Sequence, residues 1–221
     1  MRVKICGATR LDEVALLASA GVDFVGLWHG VPGGSTELPL DELARLAAAA
    51  VGVRPVLVTL ESSVDDLVLV VRRAGIDWVQ LHGYQQPAVV RALKTECPNT
   101  TVVKVLHVCG GECVERPLIR AYERAGVDVF LLDALAADGR IGSTAQTIDP
   151  DVATRIVERS DRPVMLAGGL TSDNSARYRS LTEHPRFFGI DVDSGARDSQ
   201  GRIDAGRVAE IRDQWTVVGS K

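Results

Sequence analysis

The chain has 221 residues, 46% hydrophobic and 24% charged, with a formal net charge of −4 and a pI near 5.6. That size and apolar share suit a single domain over residues 1–221, with an aliphatic core because aromatics make up only 5%. The mild acidity and scattered arginines argue against nucleic acid or anionic membrane as partners, and no apolar run approaches the ~18 residues of a membrane span.

Eight short, continuous, β-branched runs read as buried parallel strands: Val3–Cys6, Phe24–Leu27, Arg54–Val58, Trp78–Leu81, Thr101–Leu106, Val129–Leu132, Pro163–Leu166 and Phe188–Val192. Helical spacing predicts Leu11–Ala20, Leu40–Val51, Val64–Arg73, Pro87–Glu96, Leu118–Ala125 and Asp151–Arg159 between them. A weak helical segment follows near Asn174–Arg179, and Ala205–Val217 closes the chain. An internal repeat supports this phasing: Ala20-Gly21-Val22-Asp23 before the second strand returns as Ala74-Gly75-Ile76-Asp77 and as Ala125-Gly126-Val127-Asp128. In each copy Gly ends a helix and Asp breaks the short loop into the next strand. The copies stand roughly fifty residues apart, the length of two βα units. Eight such strands predict a (β/α)8 TIM barrel; the competing doubly wound sheet would suit an early G-x-G-x-x-G, which is absent.

A barrel of this kind carries its active site at the C-terminal strand ends. Those ends offer Lys4 and Cys6, then Trp28-His29-Gly30, then Gln80, His82 and Gly83, then Lys104 and His107, and then Asp133. Later ends add Gly142-Ser143-Thr144, Gly168-Gly169 and the run Asp191 to Gly195 with Ser194. Cys6 and Asp133, a soft base and a carboxylic acid on separated strands, can take a proton from one side of a small substrate and deliver one on the other. Glycine and serine loops after the last strands suit a phosphate. His82 is equally a packed histidine or a ligand contact, and Trp28 and His29 either line the pocket or shield the barrel top. Cys109-Gly110-Gly111-Glu112-Cys113 has a metal-like look, but no second pair stands at zinc spacing and no metal is expected. With no secretory leader expected, the four cysteines read as reduced thiols in a cytoplasmic protein.

Lys4-Ile5-Cys6-Gly7, Val79-Gln80-Leu81-His82-Gly83, Leu131-Leu132-Asp133, Leu166-Ala167-Gly168-Gly169-Leu170 and Gly189-Ile190-Asp191-Val192-Asp193-Ser194-Gly195 follow one another in a characteristic order. Together they resemble the phosphoribosylanthranilate isomerase family over nearly the whole chain. The resemblance implies an Amadori rearrangement of an aminoaldose phosphate, with Cys6 as the general base at C2 and Asp133 as the general acid at the ring oxygen. Asp133 must then be protonated to donate, and Cys6 must be thiolate to accept, helped by Lys4 on the same strand face. The remaining implied contacts, to substrate, are Lys4, His82, Gly142, Ser143, Gly168, Gly169, Asp191, Ser194 and Gly195.

Three segments depart from the family pattern. The Ser-Pro-Arg-like stretch after strand two, whose arginine holds the anthranilate carboxylate, reads Gly30-Val31-Pro32-Gly33-Gly34-Ser35-Thr36-Glu37, without an arginine. Gly-Gly-Thr-Gly after strand six reads Ile141-Gly142-Ser143-Thr144, and Ser-Ser-Gly-Val-Glu after strand eight reads Asp193-Ser194-Gly195-Ala196-Arg197. Asp193 beside a phosphate then needs to point away or to be offset by a cation, and Arg140 or Arg197 is the expected replacement for the missing arginine. The readings are therefore an isomerase with an altered loop, a paralogue acting on another phosphorylated sugar amine, a lyase or aldolase using Lys4 or Lys104 as a Schiff-base amine, and a barrel retained for binding alone. The partner expected is a small phosphorylated substrate with no cofactor, and the chain is expected as a monomer or homodimer.

Overall fold

The structure is a computed structural model, and it describes residues 1–135 and 146–218. Eight parallel strands form the barrel: β1 (Arg2–Cys6), β2 (Phe24–Trp28), β3 (Arg54–Thr59), β4 (Trp78–Leu81), β5 (Thr101–Cys109), β6 (Val129–Ala134), β7 (Val164–Leu166) and β8 (Phe187–Val192). Each pairs with its chain neighbour, and β8 returns to β1, which closes the sheet. Around it lie α1 (Leu11–Ser19), α2 (Leu40–Ala49), α3 (Val64–Ala74), α4 (Pro87–Glu96), α5 (Ile119–Ala125), α6 (Pro150–Arg159), α7 (Arg179–Thr182) and α8 (Ala205–Val218). Among the described residues no helix is long and apolar enough to cross a membrane.

Local chemistry sets the helix ends. Ser63 accepts the Asp66 amide at the start of α3, and Asp149 accepts those of Asp151 and Val152 at the start of α6, satisfying amides that have no partner inside the helix. Gly75 and Gly126 end α3 and α5 at φ of 64° and 102°, a left-handed geometry that favours glycine. The repeated aspartate does more than break a loop. Asp23 accepts the Val3 amide and Asp128 the Val102 amide, so each ties the start of one strand to the strand before it. The segment expected as weak near Asn174–Arg179 is a 3-10 turn, Ser175–Tyr178, running into α7. α8 is anchored by Trp215, fully buried, stacked on Tyr178 at 5.6 Å and donating to the Thr171 carbonyl.

Alternation along each strand divides the apolar residues into two cores. Outward residues such as Ile5, Val25, Leu57, Val79, Leu106, Phe130, Leu132 and Ile190 pack under the helices. Inward, Val103, Val105, Val129, Leu131, Met165 and Ala167 fill the barrel with Trp78 and Phe188. At its N-terminal end the Phe24 and Trp78 rings lie 4.6 Å apart, with Phe188 stacked on Trp78 at 6.3 Å.

Two local features were not foreseen in the sequence. The register between β7 and β8 slips by one residue between Val164 and Met165. This bulge re-aims β8, so Ile190 and Val192 face the helices while Asp191 enters the barrel. β5 also runs three residues past its expected end and folds back on Glu112–Cys113 as an antiparallel hairpin. The Cys109–Cys113 stretch is thus a hairpin, with Gly110-Gly111 as its two-residue turn.

Candidate active site

The polar inward residues collect at the C-terminal mouth of the barrel. Cys6 ends β1, and its thiol is buried and contacted from two sides. Lys4 Nζ donates to Sγ at 3.2 Å and Trp28 Nε1 at 3.1 Å. Room for this group comes from Gly26 on β2, where a Cβ would stand 2.6 Å from Sγ and 3.0 Å from Lys4 Nζ. Lys4 also makes a 2.6 Å ion pair with Asp191 of β8, and both side chains are nearly fully buried.

This cluster sets the proton affinities. Burial opposes the Lys4 charge, but Asp191 and Cys6 outweigh it and hold the ammonium above its usual range. Burial pushes the Asp191 carboxyl up, with Lys4 only partly opposing. The Cys6 thiol is pushed up to about 12, first by burial and then, against Lys4, by the charges of Asp191 and Asp193. Lys4 therefore reaches Cys6 as expected, yet the resting group is the thiol and not the thiolate.

Asp133 closes β6 and is 7% exposed. His82, just past β4, brings Nε2 to 3.2 Å from Asp133 Oδ2, within ion-pair reach but without hydrogen-bond alignment. Gln80 holds the other ring nitrogen of His82 at 3.0 Å. The structure thus places His82 beside Asp133. Gly168 and Gly169 follow β7, and Ser194 and Gly195 follow β8 in a 3-10 turn, Ser194–Ala196. A Cβ at Gly168 would lie 2.9 Å from the Ala134 Cβ, and one at Gly195 would strike the Leu170 carbonyl oxygen at 2.0 Å. Neither Gly168 nor Gly195 has room for a side chain. Gly142, Ser143 and Arg140 lie outside the described residues.

Arg197 does not replace an arginine at the amine end of a substrate. Its Nε pairs with Asp193 at 2.7 Å, and its terminal nitrogens donate to the carbonyls of Gly201, Cys6 and Gly7. It offsets the acid at Asp193 and clasps the end of β1. Lys104 is corrected too. Its neighbours Val103 and Val105 point inward, while its ammonium lies outside the barrel, donating to the Gly83 and Val105 carbonyls over the Tyr122 ring. Burial brings it down to about 8, but no substrate in the mouth can reach it.

Two participants escaped the sequence reading. Trp28, left between lining and shielding, is a hydrogen-bond donor to the Cys6 thiol, which the inward alternation Phe24, Gly26, Trp28 would have indicated. Glu115, beyond the hairpin, turns back into the mouth and holds His107, with Nδ1 at 2.6 Å and the His107 amide donating at 2.8 Å. Several buried polar atoms around the mouth have no partner: Gln80 Oε1, His107 Nε2 and Asp191 Oδ1. Buried polar atoms left without partners at one end of a barrel call for an explanation, and a polar ligand is one.

A family model described as N-(5'-phosphoribosyl)anthranilate (PRA) isomerase matches residues 3–214. The chain belongs to that family. It is 31% identical to the N-(5'-phosphoribosyl)anthranilate isomerase 2 of Methanosarcina mazei over 94% of this chain and 91% of the relative. It is 36% identical to the N-(5'-phosphoribosyl)anthranilate isomerase of Haloferax volcanii over 92% of this chain and 87% of the relative. The crystal structure of the Thermus thermophilus phosphoribosyl anthranilate isomerase superposes with a TM-score of 0.81 at 23% identity, covering 99% of this chain and 100% of that one. That likeness fixes the (β/α)8 barrel. In this PRA isomerase family member the loop after β2 is ordered by its own acid. Glu37 accepts the amides of Gly30 and Val31 and folds the loop onto itself, and His29 Nδ1 lies 2.7 Å from the Leu38 carbonyl oxygen.

Proposed function

We propose that this chain isomerises N-(5'-phosphoribosyl)anthranilate to the corresponding 1-amino-1-deoxyribulose 5-phosphate, with Asp133 as general acid and Cys6 as general base. The observation that carries the reading is the placement of one buried thiol and one buried carboxyl at the inward ends of β1 and β6, in a chain of this family. Asp133 gives a proton to the furanose oxygen as the bond from that oxygen to C1 breaks, leaving an iminium between C1 and the nitrogen. Cys6 then takes the C2 proton, the C–H pair forms the C1–C2 double bond as the iminium pair moves onto nitrogen, and the resulting enolamine becomes the ketone as C1 gains a proton and the C2 hydroxyl loses one.

Cys6 must shed its resting proton first. Lys4 touches both Sγ and Asp191, so the thiol proton has a route through the ammonium to a carboxylate whose affinity for protons burial has raised. The iminium that forms beside Cys6 then favours the thiolate by its charge. Gly168-Gly169 and Ser194-Gly195 supply the close backbone for the phosphate, with Gly142-Ser143 assigned to the same end from the sequence. The chemistry is proton transfer alone and asks for no cofactor. We read the protein as cytoplasmic, and as a monomer or a homodimer.

A second reading, a paralogue acting on a different phosphorylated sugar amine, is favoured by the loop after β2, where Glu37 stands and no arginine does. The lysine-dependent lyase is not favoured, because Lys4 is held protonated in an ion pair and Lys104 is outside the barrel. Complementation of a tryptophan auxotroph lacking the isomerase separates the first two. Growth that is lost with Asp133→Asn supports the isomerase; absence of growth from soluble, folded protein moves the substrate to another aminoribose phosphate.

A further inference from the structure

The geometry points to His107, oriented by Glu115, as the group that binds the carboxylate on the amine half of the substrate. This inference rests on the isomerase reading, since it assigns a partner to the second anionic end of that substrate. His107 is 1% exposed on β5 and points into the barrel, between the outward Leu106 and Val108. Its ring lies 6.0 Å from that of His82 and 4.8 Å from Tyr84, on the mouth side.

Glu115 holds one ring nitrogen and leaves the other. Both carboxylate oxygens are committed, Oε1 to Nδ1 and Oε2 to the His107 amide. Burial opposes the Glu115 charge, but the His107 contacts and Lys104 outweigh it, and the carboxyl sits below its usual range. An ionised acceptor on Nδ1 assigns the proton there, so Nε2 is left as the buried atom without a partner. A carboxylate arriving at Nε2 meets the one ring nitrogen that Glu115 leaves open, and a ring donating from both nitrogens satisfies both carboxylates. The other cations described at the mouth are already committed, Lys4 to Asp191 and Arg197 to Asp193 and three carbonyls. β5 is also separated by β6 from the β7 and β8 loops proposed for the phosphate. The two anionic ends of one substrate thus meet different sectors of the rim. Glu115 is a positioning residue in this scheme, and His107 makes the contact.

The test compares phosphoribosylanthranilate with its carboxylate-free counterpart, phosphoribosylaniline, on wild-type protein and on His107→Asn. Asparagine can still donate to Glu115 from near the Nδ1 position, but it has nothing at Nε2. The expected result is that KM for the carboxylate substrate rises about 10- to 100-fold, the loss of one charge-assisted hydrogen bond, with kcat nearly held and the aniline substrate little affected. Equal effects on the two substrates, or none, overturn the inference. Wild-type protein inactive on both overturns the isomerase reading itself. Should His107→Asn fail to fold, 15N spectra of wild-type histidines decide. The His107 Nε2 signal should shift on adding a carboxyphenylamino-deoxyribulose phosphate and much less on adding the phenylamino analogue; equal shifts, or none, overturn the inference.

Discussion

At the N-terminal end of the barrel, Phe24, Trp78 and Val129 point inward; four residues further along the same strands the inward positions hold Trp28, His82 and Asp133. The first set is dry and closely packed, with rings 4.6 Å apart. The second leaves buried nitrogen and oxygen atoms without partners and brings an ammonium, a thiol and two carboxyls together. Each orphaned polar atom costs folding free energy of about 1–3 kcal/mol, and the apolar end and the helix-facing core must offset it. Stability and proton transfer are thus separated along one barrel axis, a division that substitutions at the two ends can break.

The largest expected effect is at the mouth. Cys6→Ser replaces the base by a hydroxyl far less acidic than the thiol, and turnover should fall at least ~1,000-fold while the thermal midpoint stays close to wild type. A steady-state assay beside a melting curve checks both halves. Phe24→Ala does the reverse: deleting a buried ring should cost about 3–5 kcal/mol by urea denaturation, with the folded fraction retaining native kcat. Similar losses of turnover in the two variants would break the division.

Gly26→Ala sharpens it, because the new methyl would stand 2.6 Å from the Cys6 sulfur. It should displace Cys6 and lower kcat about 10- to 100-fold, with a smaller cost to folding of about 1–3 kcal/mol from overpacking. The smallest effect is a pH dependence outside the barrel. Burial lowers Lys104 to about 8, so between about 8 and its usual 10.5 the unfolded chain binds the proton that the folded chain has lost. Stability from this group therefore rises with pH across that window. The difference in unfolding free energy between wild type and Lys104→Met should move in favour of wild type from pH 7.5 to 10.5, and a flat difference would place the ammonium in a more solvated site.

The phasing of the strands was legible because the Ala-Gly-Val/Ile-Asp repeat marks the same junction three times, and in two copies, Asp23 and Asp128, the aspartate takes an amide of the preceding strand. The positions of Cys6, Asp133 and Lys4 at the inward strand ends were legible from strand parity, while their roles came from the family resemblance. Three things were hidden for physical reasons. The bulge that turns Asp191 inward is a single-residue slip with no composition of its own. The hairpin after β5 looked like ligand spacing, although its two glycines between paired β residues are a turn signal. Glu115 reads in sequence as one more solvated acid, and only the hairpin brings it back to His107. The partners of Arg197 at Cys6 and Gly7 have no local signal, since they lie some 190 residues away in sequence.

The most direct test of the account is the consumption of phosphoribosylanthranilate by purified wild-type protein, measured beside Asp133→Asn. The account predicts turnover by the wild type at an enzymatic rate and a loss of at least ~1,000-fold in the variant, with both proteins equally folded. A folded wild type without turnover, or a variant within about tenfold of it, would contradict the assignment of the barrel mouth to this isomerisation.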